Sequence, residues 1–164
     1  NDEGSSIGVK ICKTHKSLKN DFNILKKRYD SLIFESFIPG KEIQVAVLGD
    51  RAIGAIELRP KREFYDYAAK YKKSSKTLHV MPAEISKKKY KEVLKISEKA
   101  NKVLKCRGVV RCDFRFNKNK FFLLELNTQP GMTSLSLVPE IAQYSKISFT
   151  KLVKWIVNDA SLNR

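Results

Sequence analysis

Two runs of alternating residues, 109–116 (VVRCDFRF) and 121–127 (FFLLELN), separated by Asn117-Lys118-Asn119-Lys120, constrain this chain more than any other feature. Strand side chains point alternately to opposite faces, and two such runs around a short polar turn form an antiparallel hairpin. In the first run Val110, Cys112, Phe114 and Phe116 share a core-like face, leaving Arg111, Asp113 and Arg115 on the other. In the second, Phe122, Leu124 and Leu126 share one face, and Glu125 and Asn127 share the other with Phe121 and Leu123. A tight turn centred near Asn119 sets Asp113 beside Glu125. Two carboxylates, a carboxamide and an arginine then converge on one patch of sheet, where like charges repel unless something compensates them.

The remaining elements suit a sheet flanked by helices. Ile7 to Cys12 and residues 31–37 (SLIFESF) read as strands, and Leu18, Phe22, Leu25 and Tyr29 give a helix over about 17–29. Pro39-Gly40 marks a turn and a lobe boundary. Residues 42–48 and 52–58 form a second hairpin across Gly49-Asp50-Arg51. Residues 60–83 show no sustained periodicity, and so long an irregular segment in a compact domain usually carries function or disorder. The clearest helix is 86–105, with Ser86 as its cap and Tyr90, Val93, Leu94, Ser97, Ala100 and Leu104 on one face. Two short helices close the chain after Pro130-Gly131. The fold class is α+β, with a mainly antiparallel sheet.

Charge and cysteine content narrow the function classes. Thirty-three Lys and Arg against seventeen Asp and Glu leave a net +16, which favours anionic partners. A nucleic-acid-binding module is the rival reading, motivated by that charge and by aromatic residues among lysines at 64–76. No nucleic-acid motif accompanies it, and the lysines spread over helix faces instead of forming one aromatic platform. Cys12, Cys106 and Cys112 have no Cys-x-x-Cys spacing, which disfavours zinc or a disulfide framework and favours a reducing compartment. No apolar run approaches the roughly 18–20 residues that span a bilayer, and the polar opening NDEGSS is no signal peptide. The expectation is a cytoplasmic protein without a membrane or nucleic-acid partner. The opening without Met reads as part of something longer.

Asp113, Glu125 and Asn127 offer hard oxygen ligands suited to Mg²⁺ or Mn²⁺ with nucleotide phosphates completing the shell. A salt-bridged sheet surface with Arg111 as counter-charge accounts for the same residues. The loop Thr128 to Leu137, small and rich in hydroxyls, can point backbone N–H groups at an anion, or simply make a Pro-Gly turn with helix caps. Glu3-Gly4-Ser5-Ser6-Ile7-Gly8 could cover phosphates similarly, although it lacks the Gly-Lys-Ser/Thr ending of a Walker A loop.

Five blocks then occur in a known order: EGSSIG at 3–8, FIPGKE at 37–42, FYDYAAKY at 64–71, RCD at 111–113 and ELNTQPGMTS at 125–134, continuing to Ser136-Leu137-Val138-Pro139. With them the chain resembles the C-terminal half of bacterial D-alanine:D-alanine ligases, members of the ATP-grasp superfamily. The resemblance implies an incomplete ATP-grasp fold, with 1–41 the remainder of the central lobe and 42–164 the C-terminal lobe. It implies that ATP phosphorylates one D-alanine to an acylphosphate, which the amine of a second D-alanine attacks, giving the dipeptide used for peptidoglycan. By the same resemblance Asp113, Glu125 and Asn127 hold two Mg²⁺ or Mn²⁺ ions, and Arg111 and the Gly131 N–H stabilise the oxyanion. Ser136, Leu137 and Tyr65 receive the second D-alanine. Lys70 and Ser6 meet phosphate, Glu35, Phe37, Ile38 and Phe64 grip adenine, and Glu42 binds ribose. Tyr71 meets the hydroxyl of Ser5 as the loop 64–71 closes. Relatives making D-alanyl-D-lactate differ at that loop, and another ATP-grasp carboxylate-amine ligase, of D-lactate or D-serine type, is the nearest alternative. Family members are roughly twice this length and dimerise largely through regions outside it, so the chain alone is expected to be inactive.

Overall fold

The computed structural model describes residues 7–60 and 77–161. Among these residues five strands form one antiparallel sheet: β1 (Lys41–Leu48), β2 (Arg51–Arg59), β3 (Leu78–Val80), β4 (Val109–Asn117) and β5 (Lys120–Asn127), in the order β3-β2-β1-β4-β5. With them are the helices α1 (His15–Leu25), α2 (Lys87–Val103), α3 (Leu137–Tyr144) and α4 (Phe149–Asp159). The α+β expectation therefore holds. The described residues of Asn1–Ile38 and Pro60–Thr77 make one compact unit, and those of Pro39–Arg59 and Leu78–Arg164 the other.

In the first unit a capping box starts α1. Thr14 Oγ1 accepts from the Ser17 N–H at 3.1 Å, and Ser17 Oγ accepts from the Thr14 N–H at 3.2 Å. The helix thus begins two residues before Ser17 and stops at Leu25, short of Tyr29. Neither Ile7 to Cys12 nor 31–37 forms a strand. A strand exists only with a ladder partner for its N–H and C=O groups, and neither segment has one among the described residues.

In the second unit both faces of the sheet are used. One face packs Ile43, Val45, Val47, Ala55, Val110, Cys112 and Phe114 against Val93 of α2. Helix α2 starts where Ser86 caps the Lys89 N–H, and its lysines are exposed except Lys89, which lies over the Phe121 ring. On the opposite face α3 lies over β1 and β2. Gly54 permits this approach, because a Cβ there would stand 2.8 Å from Ile141 Cγ2. Helix α4 adds buried Leu152. Strand β3 falls inside the segment read as irregular; at three residues it is too short for alternation to show. Among the described residues no helix is long and apolar enough to cross a membrane.

The β4–β5 hairpin corrects the simple alternation. Its turn is only Lys118 and Asn119, both with positive φ (45° and 62°), the two-residue turn that matches strand twist. That turn pairs Phe116 with Phe121, Arg115 with Phe122 and Phe114 with Leu123. Phe121 and Leu123 therefore share the α2 face and Phe122 the opposite one, the reverse of strict alternation back from Glu125. Continued without interruption, the ladder would set Leu124 opposite Asp113 and Glu125 opposite Cys112, a fully buried residue. An ionised carboxylate there would be strongly unfavourable. Leu124 is instead the extra residue of a β-bulge, and beyond it Asp113 pairs with Glu125 and Cys112 with Leu126. The expected pairing of the two carboxylates is present, and the bulge produces it.

Glu57 shows how a buried charge is held at the other end of the sheet. It is 2% exposed, yet Arg59 Nε donates to it at 2.7 Å, Lys41 Nζ at 2.9 Å and the Glu84 N–H at 3.1 Å. Burial pushes its pKa up, but the hydrogen bonds and charges of Arg59 and Lys41 outweigh burial and hold it below the ordinary 4.5. A carboxyl with a depressed folded pKa contributes stability that is complete above 4.5 and lost as pH falls through the lower folded value. The stability difference between the parent chain and Glu57→Gln should therefore be largest near neutral pH and shrink on acidification. Urea unfolding at a series of pH values checks this; a pH-independent difference would refute it.

Candidate active site

The face of the sheet that carries α3 over β1 and β2 is polar over β4 and β5. Here Glu42 pairs with Arg115, Gln44 with Asp113 and Ala46 with Arg111 across β1–β4, while Asp113 and Arg111 pair onward with Glu125 and Asn127. The strip Glu42, Gln44, Arg111, Asp113, Arg115, Glu125 and Asn127 thus lies on one face of three adjacent strands. Side chains two apart on β4 interact there directly. Arg111 Nε donates to Asp113 Oδ1 at 2.7 Å and its Nη2 to Oδ2 at 2.9 Å, a two-pronged fork between side chains 16% and 11% exposed. The counter-charge that a structural reading requires is therefore present, and it acts on Asp113. Glu125 extends from the exposed edge strand.

Arg115 donates from Nη1 to the Gly40 carbonyl at 3.2 Å and stands 3.8 Å from Glu42 Oε1. This ties the start of β1 to β4. Gly40 has φ +109°, and a Cβ there would lie 2.3 Å from the Phe116 carbonyl oxygen, so only glycine fits. Gln44 is the residue that sequence reasoning passed over, although the alternation of EIQVAVL puts it on the face of Glu42.

The loop after β5 begins with Asn127 Oδ1 accepting from the Gln129 N–H at 2.9 Å. Ser136 precedes the first residue of α3, but its hydroxyl does not cap the helix. It accepts from the Thr133 N–H at 3.0 Å and shares a hydrogen bond with Thr133 Oγ1 at 2.9 Å. Gly131 sits directly against it, since a Cβ on Gly131 would be 2.8 Å from Ser136 Oγ. Leu137 is buried, so its side chain belongs to the core and its backbone N–H, in the first turn of α3, is the group free of helical bonding.

Of the residues singled out in the sequence, Arg111, Asp113, Glu125, Asn127 and Glu42 share this sheet face, Gly131 and Ser136 sit together in the loop that follows, and Leu137 opens α3. Glu35, Phe37 and Ile38 lie in the other unit, in a stretch without regular structure; Glu35 and Phe37 are exposed and Ile38 is half-buried. Ser5, Ser6, Phe64, Tyr65, Lys70 and Tyr71 lie outside the described residues.

Among the described residues no three His, Cys, Asp or Glu side chains gather as a self-sufficient metal site. Two carboxylates at paired positions and a carboxamide nearby are instead the partial, all-oxygen donor set that suits Mg²⁺, which keeps several waters and takes one or two carboxylates plus phosphate oxygens. Gln44 Oε1, buried and without a hydrogen-bond partner, is a further acceptor on this face. The residues therefore fit a hydrated divalent cation.

An antiparallel sheet with helices on both faces and paired acidic residues on its edge hairpin is an ATP-grasp arrangement, and solved structures agree. The D-alanine–D-alanine ligase of Bacillus anthracis complexed with ATP superposes with a TM-score of 0.79 at 30% identity, over 94% of this chain and 50% of that one. The ligase of Coxiella burnetii gives 0.79 at 25% identity, over 95% and 42%. The chain belongs to the family described as D-ala D-ala ligase C-terminus, whose profile matches residues 1–158. Among relatives, the D-alanine–D-alanine ligase of Pelagibacter ubique is 53% identical over 163 residues, covering 99% of this chain and 53% of the relative. That of Wolbachia pipientis wMel is 46% identical over 165 residues, covering 97% and 51%. The chain spans about half the length of the relatives it matches.

Proposed function

We propose that this chain is the catalytic C-terminal portion of an ATP-dependent ligase that joins two D-alanines through an acylphosphate, for peptidoglycan synthesis. The observation that carries the reading is the Asp113 and Glu125 pair brought into register by the bulge, with Asn127 beside it and the Pro130-Gly131 loop directly following. Asp113, Glu125 and Asn127 would hold Mg²⁺ or Mn²⁺, two ions with ATP bound. The cation supplies neutralisation and alignment of the phosphates during transfer.

The chain's own residues would do the rest. Arg111, whose guanidinium directs two N–H groups at Asp113, would also donate to the developing oxyanion. The Gly131 N–H serves the same charge, and such donors act most strongly where water is excluded. Ser136 and the Leu137 N–H would receive the carboxylate of the second D-alanine, whose amine attacks the acylphosphate. Glu42 would accept from the ribose hydroxyls, and Glu35, Phe37, Ile38 and Phe64 would surround the adenine. Lys70 and Ser6 would meet phosphate, Tyr65 the second D-alanine, and Tyr71 the Ser5 hydroxyl. Residues 1–41 and 42–164 are read as the central-lobe remainder and the C-terminal lobe. Three free cysteines among the described residues and the use of ATP suit the cytoplasm.

A chimera tests the reading. This chain replaces the matching portion of the Pelagibacter ubique ligase, and ADP release and dipeptide are measured with D-alanine, D-lactate or D-serine as second substrate. Formation of D-alanyl-D-alanine above the other products is the expected result, with the chain alone releasing no D-alanine-dependent phosphate. A folded chimera that binds Mg-ATP but makes no dipeptide would refute the assignment.

A further inference from the structure

We infer that Gln44 is a positioning residue of the metal site, its amide oxygen accepting a hydrogen bond from a water of the bound cation. This rests on the metal reading above and goes beyond it. Gln44 is 5% exposed, and its Oε1 is sealed from solvent with no hydrogen-bond partner. An unpartnered buried acceptor destabilises a fold, and a methionine or leucine of similar size would remove the penalty.

The surroundings show what is lacking. On the β2 side Gln44 pairs with Ile56, which is fully buried and offers its face only an apolar side chain. On the β4 side it pairs with Asp113, a carboxylate and hence an acceptor, which already receives two N–H groups from Arg111. Along β1 the neighbours on the same face are Glu42, another acceptor, and Ala46. The donors nearest to it on β4, Arg111 and Arg115, are turned to Asp113 and to the Gly40 carbonyl and do not bond Gln44 Oε1, which is left to take a donor brought by something bound. Mg²⁺ retains several waters when one or two carboxylates and phosphate oxygens ligate it, and those polarised waters are strong donors. A residue paired with Asp113 across the ladder and carrying an acceptor without a partner is placed to hold such a water and so to orient the ligating carboxylates.

The inference predicts opposite signs for stability and metal binding. In Gln44→Met, thermal unfolding of the metal-free chain should move to higher temperature, because the unpartnered acceptor is gone. Mn²⁺ affinity, measured by electron paramagnetic resonance with Mn²⁺ alone, should fall by about 10-fold, the lower end for loss of an outer-shell partner. Gln44→Leu repeats the test with a different shape, and Gln44→Glu, which retains an acceptor, should bind Mn²⁺ at least as well as the parent. Lower stability with unchanged Mn²⁺ affinity in both apolar variants would show a packing role and overturn the inference. Glu125→Gln separates the two levels. If it loses Mn²⁺ while Gln44→Met does not, only the role of Gln44 falls; if parent and Glu125→Gln bind Mn²⁺ alike, the metal reading falls with it.

Discussion

Glu125→Gln is expected to weaken binding of Mn²⁺, with or without ATP, by at least about 100-fold, while thermal unfolding of the metal-free chain shifts by no more than a few degrees. Loss of an outer-shell partner already lowers metal affinity about 10- to 100-fold, so loss of one of two charged ligands belongs at or beyond the upper end. Stability should be nearly unaffected for two reasons. Glutamine keeps the shape of glutamate, and Glu125 stands on an exposed edge strand, so no buried charge is stranded. Neutralising it also removes repulsion from Asp113, which keeps its fork from Arg111. Electron paramagnetic resonance titration and calorimetry read the two quantities separately. Unchanged Mn²⁺ affinity with a large loss of stability would show instead that Glu125 is a structural charge.

The same site shows what a linear reading reaches and where it stops. Hairpins and helices were legible because their signals are local: alternation around Asn117 to Lys120, and Ser86 ahead of an apolar face spaced at helical steps. Asp113 and Glu125 were placed together correctly, but for an incomplete reason. Strict alternation treats β5 as regular, whereas the turn at Lys118 and Asn119 fixes one register near the turn and the buried Cys112 forbids its continuation to Glu125. The bulge at Leu124 reconciles the two, and it follows from a three-dimensional conflict that no window of sequence contains. Segments 7–12 and 31–37 failed for a related reason, since β-branched and aromatic residues signal a willingness to pair and not a partner. Gln44 was missed because an amide in a strand looks unremarkable until its neighbours across both ladders are known. The net +16 says little about this site. The strip of the candidate site mixes Arg111 and Arg115 with Glu42, Asp113 and Glu125, while the lysines of α2 are exposed except Lys89, which lies over the Phe121 ring.

Phe114→Ala should be the counterpart of Glu125→Gln, removing scaffold instead of ligand. Phe114 is 1% exposed on the α2 face of β4, immediately between Asp113 and Arg115 in sequence. Its ring meets Phe121 edge-on at 6.1 Å, and Phe121 lies 4.5 Å from Phe116, so one aromatic cluster joins β4 to β5 from the side opposite the carboxylates. Truncating a buried phenylalanine destabilises by about 3–5 kcal/mol, through lost transfer energy and the cavity left behind. Among the described residues strand β5 has a ladder on one side only, so the ladder and this cluster are what keep it in register. Glu125 and Asn127 ride on that strand. Metal affinity should therefore fall in Phe114→Ala although every ligand is retained, and saturating Mn²⁺ should restore part of the lost stability, because a cation that binds only the folded register favours it by mass action. In Glu125→Gln, by contrast, Mn²⁺ at the same concentration should stabilise little. Urea unfolding of both variants with and without Mn²⁺ checks the pair of expectations. A Phe114→Ala chain within about 1 kcal/mol of the parent would mean that β5 is held by something other than this cluster. Equal rescue of both variants would mean that Glu125 contributes nothing to the cation's hold.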